Sequence, residues 1–238
     1  MRTDARANDQ LRPVKITPHV NDYAEGSVLI EAGRTRVLCT VSVEERVPAW
    51  LIGRNQGWLT AEYAMLPRAT HTRTPRETTP GARSQEIRRL IGRSLRAALD
   101  LTFIGERTLT VDCDVLQADG GTRTLSITGS YVALALALDK LIRDKKASPR
   151  ALKTAVAATS VGIVNNEILL DLAYEEDSRA AVDFNIVMTR RGEFVEMQAT
   201  AEIEPFTRAQ MDDLVALAQR GIRQLFRIQE DVLETARK

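Results

Sequence analysis

The chain has 238 residues, 44% of them hydrophobic and 27% charged, which is enough apolar surface for a substantial core in one large domain or two closely packed halves. With 33 basic and 32 acidic residues the net charge is +1, so no global field draws the molecule to nucleic acid or membrane, and any basic site must be local. Two histidines and two cysteines without a C-x-x-C spacing are too few for an ordinary structural zinc site.

The first twenty residues, with R-x-D-x-R at Arg2 to Arg6 and L-R-P at Leu11 to Pro13, mix charge and proline without periodicity and read as an extended lead-in. From Gly26 to Val43 the alternation predicts two strands joined by a tight turn at Ala32 to Arg34, and Trp58 to Leu66 predicts another. Cys39 and Cys113 both fall within apolar strand patterns. No secretory leader and no apolar run of about 18 residues is evident, so the expectation is a cytoplasmic protein with both thiols reduced and buried.

Pro67 to Arg83 has hardly any apolar residues and predicts a long loop carrying Arg68, Arg73 and Arg76. Two readings stand: a solvated loop, or an arm for nucleic acid or phosphate. Ser84 to Asp100 places Ile87, Leu90, Ile91, Leu95, Ala98 and Leu99 at helical spacing, with Arg88, Arg89, Arg93 and Arg96 on or beside the other face. From Arg68 to Arg96 eight arginines face only Glu77 and Glu86, a local balance of +6. Apart from Glu86, no acid on this helix compensates them at i±4.

Thr108 to Val115 alternates as a half-buried strand, and Leu125 to Ile142 is too long and too apolar for anything but a core helix. Between them lies Q-A-D-G-G-T-R. Gly120 and Gly121 permit a sharp turn and a close backbone approach, and the helix start behind them turns free N–H groups and its positive end toward whatever binds there. Arg123 adds a guanidinium shaped for phosphate, and Arg83 stands at the other helix start. The alternative is a plain turn with Thr122 as an ordinary N-cap. Neither the P-loop nor the dinucleotide-binding glycine pattern is present.

The remaining chain predicts strands at Ala155 to Val164 and Ile168 to Leu172, a hairpin at Ala181 to Met188 and Phe194 to Ala201, and a surface helix from Thr207 to Lys238. The fold class is α+β without a clear internal repeat. Asp183 interrupts an apolar strand and needs a partner; with Asp177 at the edge of that strand region it could hold magnesium in a partial site that phosphate completes, or it could pair an arginine or face solvent. Asp112 and Asp114, on the polar face of their strand, are weaker candidates.

Taken together the chain resembles the bacterial RNase PH family of phosphate-dependent 3′ exoribonucleases that trim transfer RNA. The resemblance rests on G-W-L-T-A-E-Y-A-M-L-P-R-A-T-H-T-R from Gly57, S-Q-E-I-R-R-L-I-G-R-S-L-R from Ser84 and D-C-D-V-L-Q-A-D-G-G-T-R-T from Asp112. S-V-G-I-V-N from Ser160, E-D-S from Glu176 and E-P-F-T from Glu204 extend it. It implies a ribosomal protein S5 domain 2-like fold, a homohexameric ring built as a trimer of dimers, a requirement for Mg2+, and inorganic phosphate as co-substrate, acting on the 3′ ends of tRNA precursors. By the same resemblance Arg83, Gly121, Thr122 and Arg123 match the phosphate site, Asp177 and Asp183 the catalytic, metal-associated acids, and Arg68, Arg73 and Arg76 the arginines that guide RNA. Arg83 and Arg123 count with the two aspartates as the catalytic set. A catalytically silent ring subunit that only binds RNA is the alternative within the same fold. The family usually has glycine where this chain has Ala82, and glycine-rich residues around Ala199 and Ile203.

Overall fold

The computed structural model describes residues 2, 4–76, 79 and 81–237. Glu77, which entered the local charge balance above, lies outside them. Five strands form the first sheet: β1 (Val14–Pro18), β2 (Gly26–Ala32), β3 (Thr35–Glu44), β4 (Trp58–Met65) and β5 (Thr108–Gln117), in the order β1-β2-β3-β5-β4. All neighbours are antiparallel except β4 and β5, whose parallel pairing requires the crossover supplied by helix α1 (Ala82–Ala97). Alternation in β5 buries Leu109, Val111, Cys113 and Val115 on one face. Cys39 stands opposite Cys113 across β3 and β5, and both are buried and free.

The second sheet has four antiparallel strands in the order β7-β6-β8-β9: β6 (Val156–Val164), β7 (Glu167–Leu170), β8 (Val182–Thr189) and β9 (Phe194–Ala201). Helix α2 (Thr122–Arg143) packs against β2 and β3 on one side and β6 on the other. Helix α4 (Arg208–Ala236) covers the second sheet and is capped by Thr207, whose Oγ1 accepts from Gln210 N. β6 is buried along its whole length because alternate residues face different helices: Val156 and Ala158 join the core around α2, Ala157, Val161 and Ile163 the core under α4.

α2 overturns one expectation. Its 22 residues include a stretch with mean hydropathy 1.5, long and apolar enough to cross a membrane, but 83% of that stretch is buried inside the fold. Ile127, Val132, Leu134 and Leu138 are at most 1% exposed, and each contributes about 1.5–3 kcal/mol by leaving water. The apolar run reflects contact with two sheets.

The amino-terminal segment corrects a second. It is no loose lead-in: β1 adds an edge strand to the first sheet, and Arg2, Arg6 and Arg12 are buried at 6%, 9% and 3% exposure. The supposedly bare arginine face of α1 is compensated from other elements rather than along the helix. Arg88 pairs Glu62 of β4, Arg93 pairs Glu196 of β9, and Arg96 lies over the Trp58 ring at 4.9 Å while donating to Leu59 O. Asp177 belongs to no strand; it ends a one-turn helix, α3 (Tyr174–Asp177).

Candidate active site

The turn between β5 and α2 is made by Gly120 and Gly121, at φ +77° and +68°, a region that side-chain-bearing residues rarely enter. Gly121 is the N-cap of α2, so Thr122 is the first helical residue and not the cap. Its hydroxyl lies 2.9 Å from the Tyr63 hydroxyl of β4, which fixes the helix start against the first sheet. The N–H groups of the first turn have no partner within the helix and form the positive end expected of an anion seat. Gly120 has a second reason to be glycine: a Cβ there would come within 2.5 Å of Leu172 O and 2.9 Å of Tyr174 N. That close approach presses the turn against the segment leading into α3 and hence toward Asp177.

Arg123 projects from the first turn of α2, with 14% of its side chain exposed. Its Nη1 donates to Gln198 Oε1 of β9 at 2.6 Å and lies 3.4 Å from Glu86 Oε1 of α1. Gln198 Nε2 donates in turn to Glu86 at 3.4 Å. Arg83, one turn before Glu86 on α1, is exposed. Its charge acts together with that of Arg123 on both Asp177 and Tyr63. Arginines from two helix starts therefore meet at the same acid. Ala82 occupies the first position of α1 without positive φ, so the helix start beside Arg83 does not require glycine. Ala199 and Ile203 are both exposed.

Asp183 enters from β8, opposite Gly162 of β6 and Thr200 of β9. Burial, then the neighbouring Asp177 carboxylate, pushes its pKa up to about 6, against the pull of Arg123 and of Asn185. Asn185 Nδ2 lies 3.1 and 3.3 Å from the two carboxylate oxygens. Among the described residues no arginine or lysine forms an ion pair with Asp183. Burial also raises Asp177, while Arg83 and Arg123 oppose the rise. Asp177 is nonetheless exposed as a residue. Glu202, just past β9, adds like charge to both acids. Asp112 and Asp114 remain apart from this group, on the outer face of the first sheet, where Asp112 sits opposite Glu62.

Of the four residues expected to do chemistry, Arg83 and Arg123 thus act on Asp177, and Arg123 and Asp177 act on Asp183, which links α1, α2, α3 and β8. The loop arginines stand differently. Arg68, Arg73 and Arg76 are exposed, and Arg68 Nη1 donates to His71 O at 2.9 Å. The root of the loop is fixed: Ala69 is buried and its carbonyl accepts from Ala118 N at 2.8 Å, two residues before Gly120. Sequence reasoning missed Tyr63, Glu86, Gln198 and Glu202, all ordinary residues inside helix or strand patterns or just beyond them. It also missed the partners of the amino-terminal arginines, whose only signal was their number in a short segment.

Residues 10–138 match domain 1 of the 3′ exoribonuclease family, RNase PH, and residues 154–221 match its domain 2. The chain belongs to the RNase PH family of 3′ exoribonucleases. The gap between the two matches runs from the last turns of α2 to just before β6, where the first sheet with its helices gives way to the second. Among solved structures the chain is similar to rice (Oryza sativa) Rrp46, with a TM-score of 0.80 and 18% identity over 98% of this chain and 100% of that one. It is also similar to a chain of the Archaeoglobus fulgidus exosome with RNA bound to the active site, with a TM-score of 0.79 and 24% identity over 95% and 91%. A chain of an archaeal exosome core matches with a TM-score of 0.74 and 23% identity over 97% and 90%. At these identities the likeness is one of fold. The RNase PH architecture of two sheets around a shared central helix is common to all of them.

Proposed function

We propose that the protein is a phosphate-dependent 3′–5′ exoribonuclease of the bacterial RNase PH type, which shortens the 3′ ends of tRNA precursors and releases nucleoside diphosphates. The observation that carries this reading is that the charges of Arg83 and Arg123 act on Asp177, and those of Arg123 and Asp177 on Asp183, while the Gly120 turn before α2 packs against the segment entering α3. An oxygen of inorganic phosphate attacks the phosphorus of the last phosphodiester. The bond to the penultimate 3′ oxygen breaks, that oxygen leaves as a hydroxyl after taking a proton, and the terminal nucleotide departs carrying two phosphates. The nucleophile arrives ionised, so the chain needs no strong base. Its task is to bring two polyanions together in line, which is positioning and charge neutralisation. In this reading Arg83, Arg123, Thr122 and the amide of Gly121 hold phosphate, while exposed Arg68, Arg73 and Arg76 hold the RNA backbone.

The donor set suits magnesium. Asp183, whose proton affinity is raised by burial and by the Asp177 carboxylate beside it, makes with Asp177 a site a divalent cation would relieve. Magnesium commonly takes one or two carboxylates and keeps water and phosphate oxygens for its remaining positions. Asp177 and Asp183 would hold the ion, which when bound supplies charge stabilisation at the scissile phosphate and leaving oxygen. By the same proposal the protein works in the cytoplasm as a homohexamer, a trimer of dimers.

The second reading is a silent ring subunit that binds RNA without cutting it; the fold likeness to chains of archaeal exosome cores favours giving it weight. The retained arginine and aspartate set speaks for activity. One assay separates the two: incubate a 3′-extended RNA with magnesium, with and without phosphate, and identify the products. Nucleoside diphosphates that appear only with phosphate support the enzyme. Monophosphates without phosphate, or RNA binding with no products, would overturn it.

A further inference from the structure

The seam between the two sheets carries an ion network that the chemistry above does not use. Asp119 and Gly120 follow β5 of the first sheet, and Asp171 to Asp177 follow β7 of the second. The Arg12 guanidinium touches both. Its Nε and Nη2 donate to the two carboxylate oxygens of Asp171 at 2.9 and 2.6 Å, while Nη1 donates to Asp119 O at 2.6 Å. Both Nη atoms also lie 3.4 Å from Gly120 O. A planar fork of this kind fixes the spacing of whatever it bridges.

The far side is held by two more arginines. The carbonyl of Asp171 accepts from Arg2 Nη2 at 3.1 Å and from Arg6 Nη2 at 3.2 Å. Arg2 also grips Glu176 with both oxygens at 2.7 Å, and Glu176 Oε2 accepts from Ala173 N at 2.9 Å, closing the turn that ends in Asp177. Asp171 has φ +54°, a left-handed conformation that aspartate tolerates better than most side chains. Buried ion networks of this kind add little net stability against apolar packing, and what they supply is one geometry.

We propose that Arg12, supported by Arg2, is a positioning residue that locks the phosphate-cradling turn to the acidic helix and so sets the distance between the nucleophile's seat and the carboxylates. The proposal rests on the reading of the site given above. Arg12→Lys keeps the charge and loses the fork. It should lower kcat about 10- to 100-fold, as a misplacement of about 1 Å does, and raise the magnesium concentration needed for half activity, leaving KM for RNA unchanged. In the metal-free protein, hydrogen exchange should rise together at residues 120–123 and 173–177 and stay at the parent level in α4. An undiminished kcat, or exchange that rises evenly through the molecule, would overturn the coupling. If Arg12→Lys does not fold, Arg2→Lys, which loosens Glu176 and the Asp171 carbonyl but leaves the Arg12 fork in place, should show the same paired rise with a smaller loss of kcat, and exchange that rises only at residues 171–177 would count against the idea. A parent protein without phosphorolysis would sink the functional reading, whereas the exchange pattern judges the coupling by itself.

Discussion

The amino-terminal arginines and the loop arginines put the same side chain to opposite uses. Arg2 and Arg12 are more than nine-tenths buried, with most of their donors met by Asp171, Glu176 and backbone carbonyls. Arg68, Arg73 and Arg76 stand on an exposed loop whose root alone is fixed, through Ala69. A guanidinium with its partners already in place cannot recruit a ligand, but it can hold two segments at one spacing. An exposed one orders little and can meet a polyanion. Arg123 lies between these extremes: partly buried, bonded to Gln198 and near Glu86, and so held in place beside the helix start proposed to seat phosphate.

The sharpest way to break this contrast is to remove a buried partner. Asp171→Ala leaves Arg12 charged and unmatched and should cost about 3–5 kcal/mol of folding stability, read as a fall in the urea midpoint. A change as small as that of a surface pair would show the network to be slack. Burial alone would raise the Asp171 pKa, but the charge and hydrogen bonds of Arg12, then the charge of Arg6, hold it below the ordinary value of 3.8. Its stabilisation is therefore complete above that value and is lost as pH falls through the lower folded pKa. The acid limb of stability should be flatter in Asp171→Asn than in the parent.

Next in size is Arg123→Ala, expected to lower kcat about 100-fold, the usual effect of deleting one donor to developing charge. It should also raise the phosphate concentration needed while RNA affinity holds. Equal loss of catalysis and RNA binding would erase the distinction between seat and loop. Asp183→Asn tests the acids with the opposite sign for folding. The folded carboxyl keeps its proton to about pH 6 whereas the unfolded one releases it near 3.8, so the charge costs stability as pH rises between those values and the cost then stays constant. The metal-free variant should be more stable at pH 7.5, on the order of 1 kcal/mol, and inactive. A less stable variant would mean that Arg123 and Asn185 outweigh the burial of the charge and the repulsion from Asp177.

What the sequence made legible follows from the range of each signal. The alternation of Leu109, Val111, Cys113 and Val115, and the long apolar run of α2, are local patterns that the fold keeps. The Gly120–Gly121 turn into α2 was legible because two adjacent glycines mark a left-handed turn, which the fold keeps at φ +77° and +68°. β1 was not. Its five residues run between Pro13 and Pro18, only Ile16 is buried, and the stretch is too short to show a period. The arginine clamp was out of reach for another reason: Arg2 meets Glu176 across 174 positions and Arg12 meets Asp171 across 159. No spacing rule spans that. Asp177 was placed beside the right strand but in the wrong element, since a single helical turn ending in E-E-D leaves no hydrophobic period to read.

The smallest effect decides what the exposed loop does. If Arg73 meets an RNA phosphate, Arg73→Ala should weaken RNA binding modestly and uniformly across sequences. The slope of log affinity against log salt should shrink by about one ion's worth, about 0.7 for a single strand. Exposure decides the outcome: an exposed guanidinium releases a counterion from RNA on binding, whereas one already paired inside the protein, like Arg12, would not. Fluorescence anisotropy with a 3′-extended RNA at several salt concentrations measures both intercept and slope. A weaker intercept with an unchanged slope would mean that Arg73 shapes the loop without touching the backbone. The electrostatic guidance would then fall to Arg68 and Arg76, or to Arg89, which is also exposed on α1.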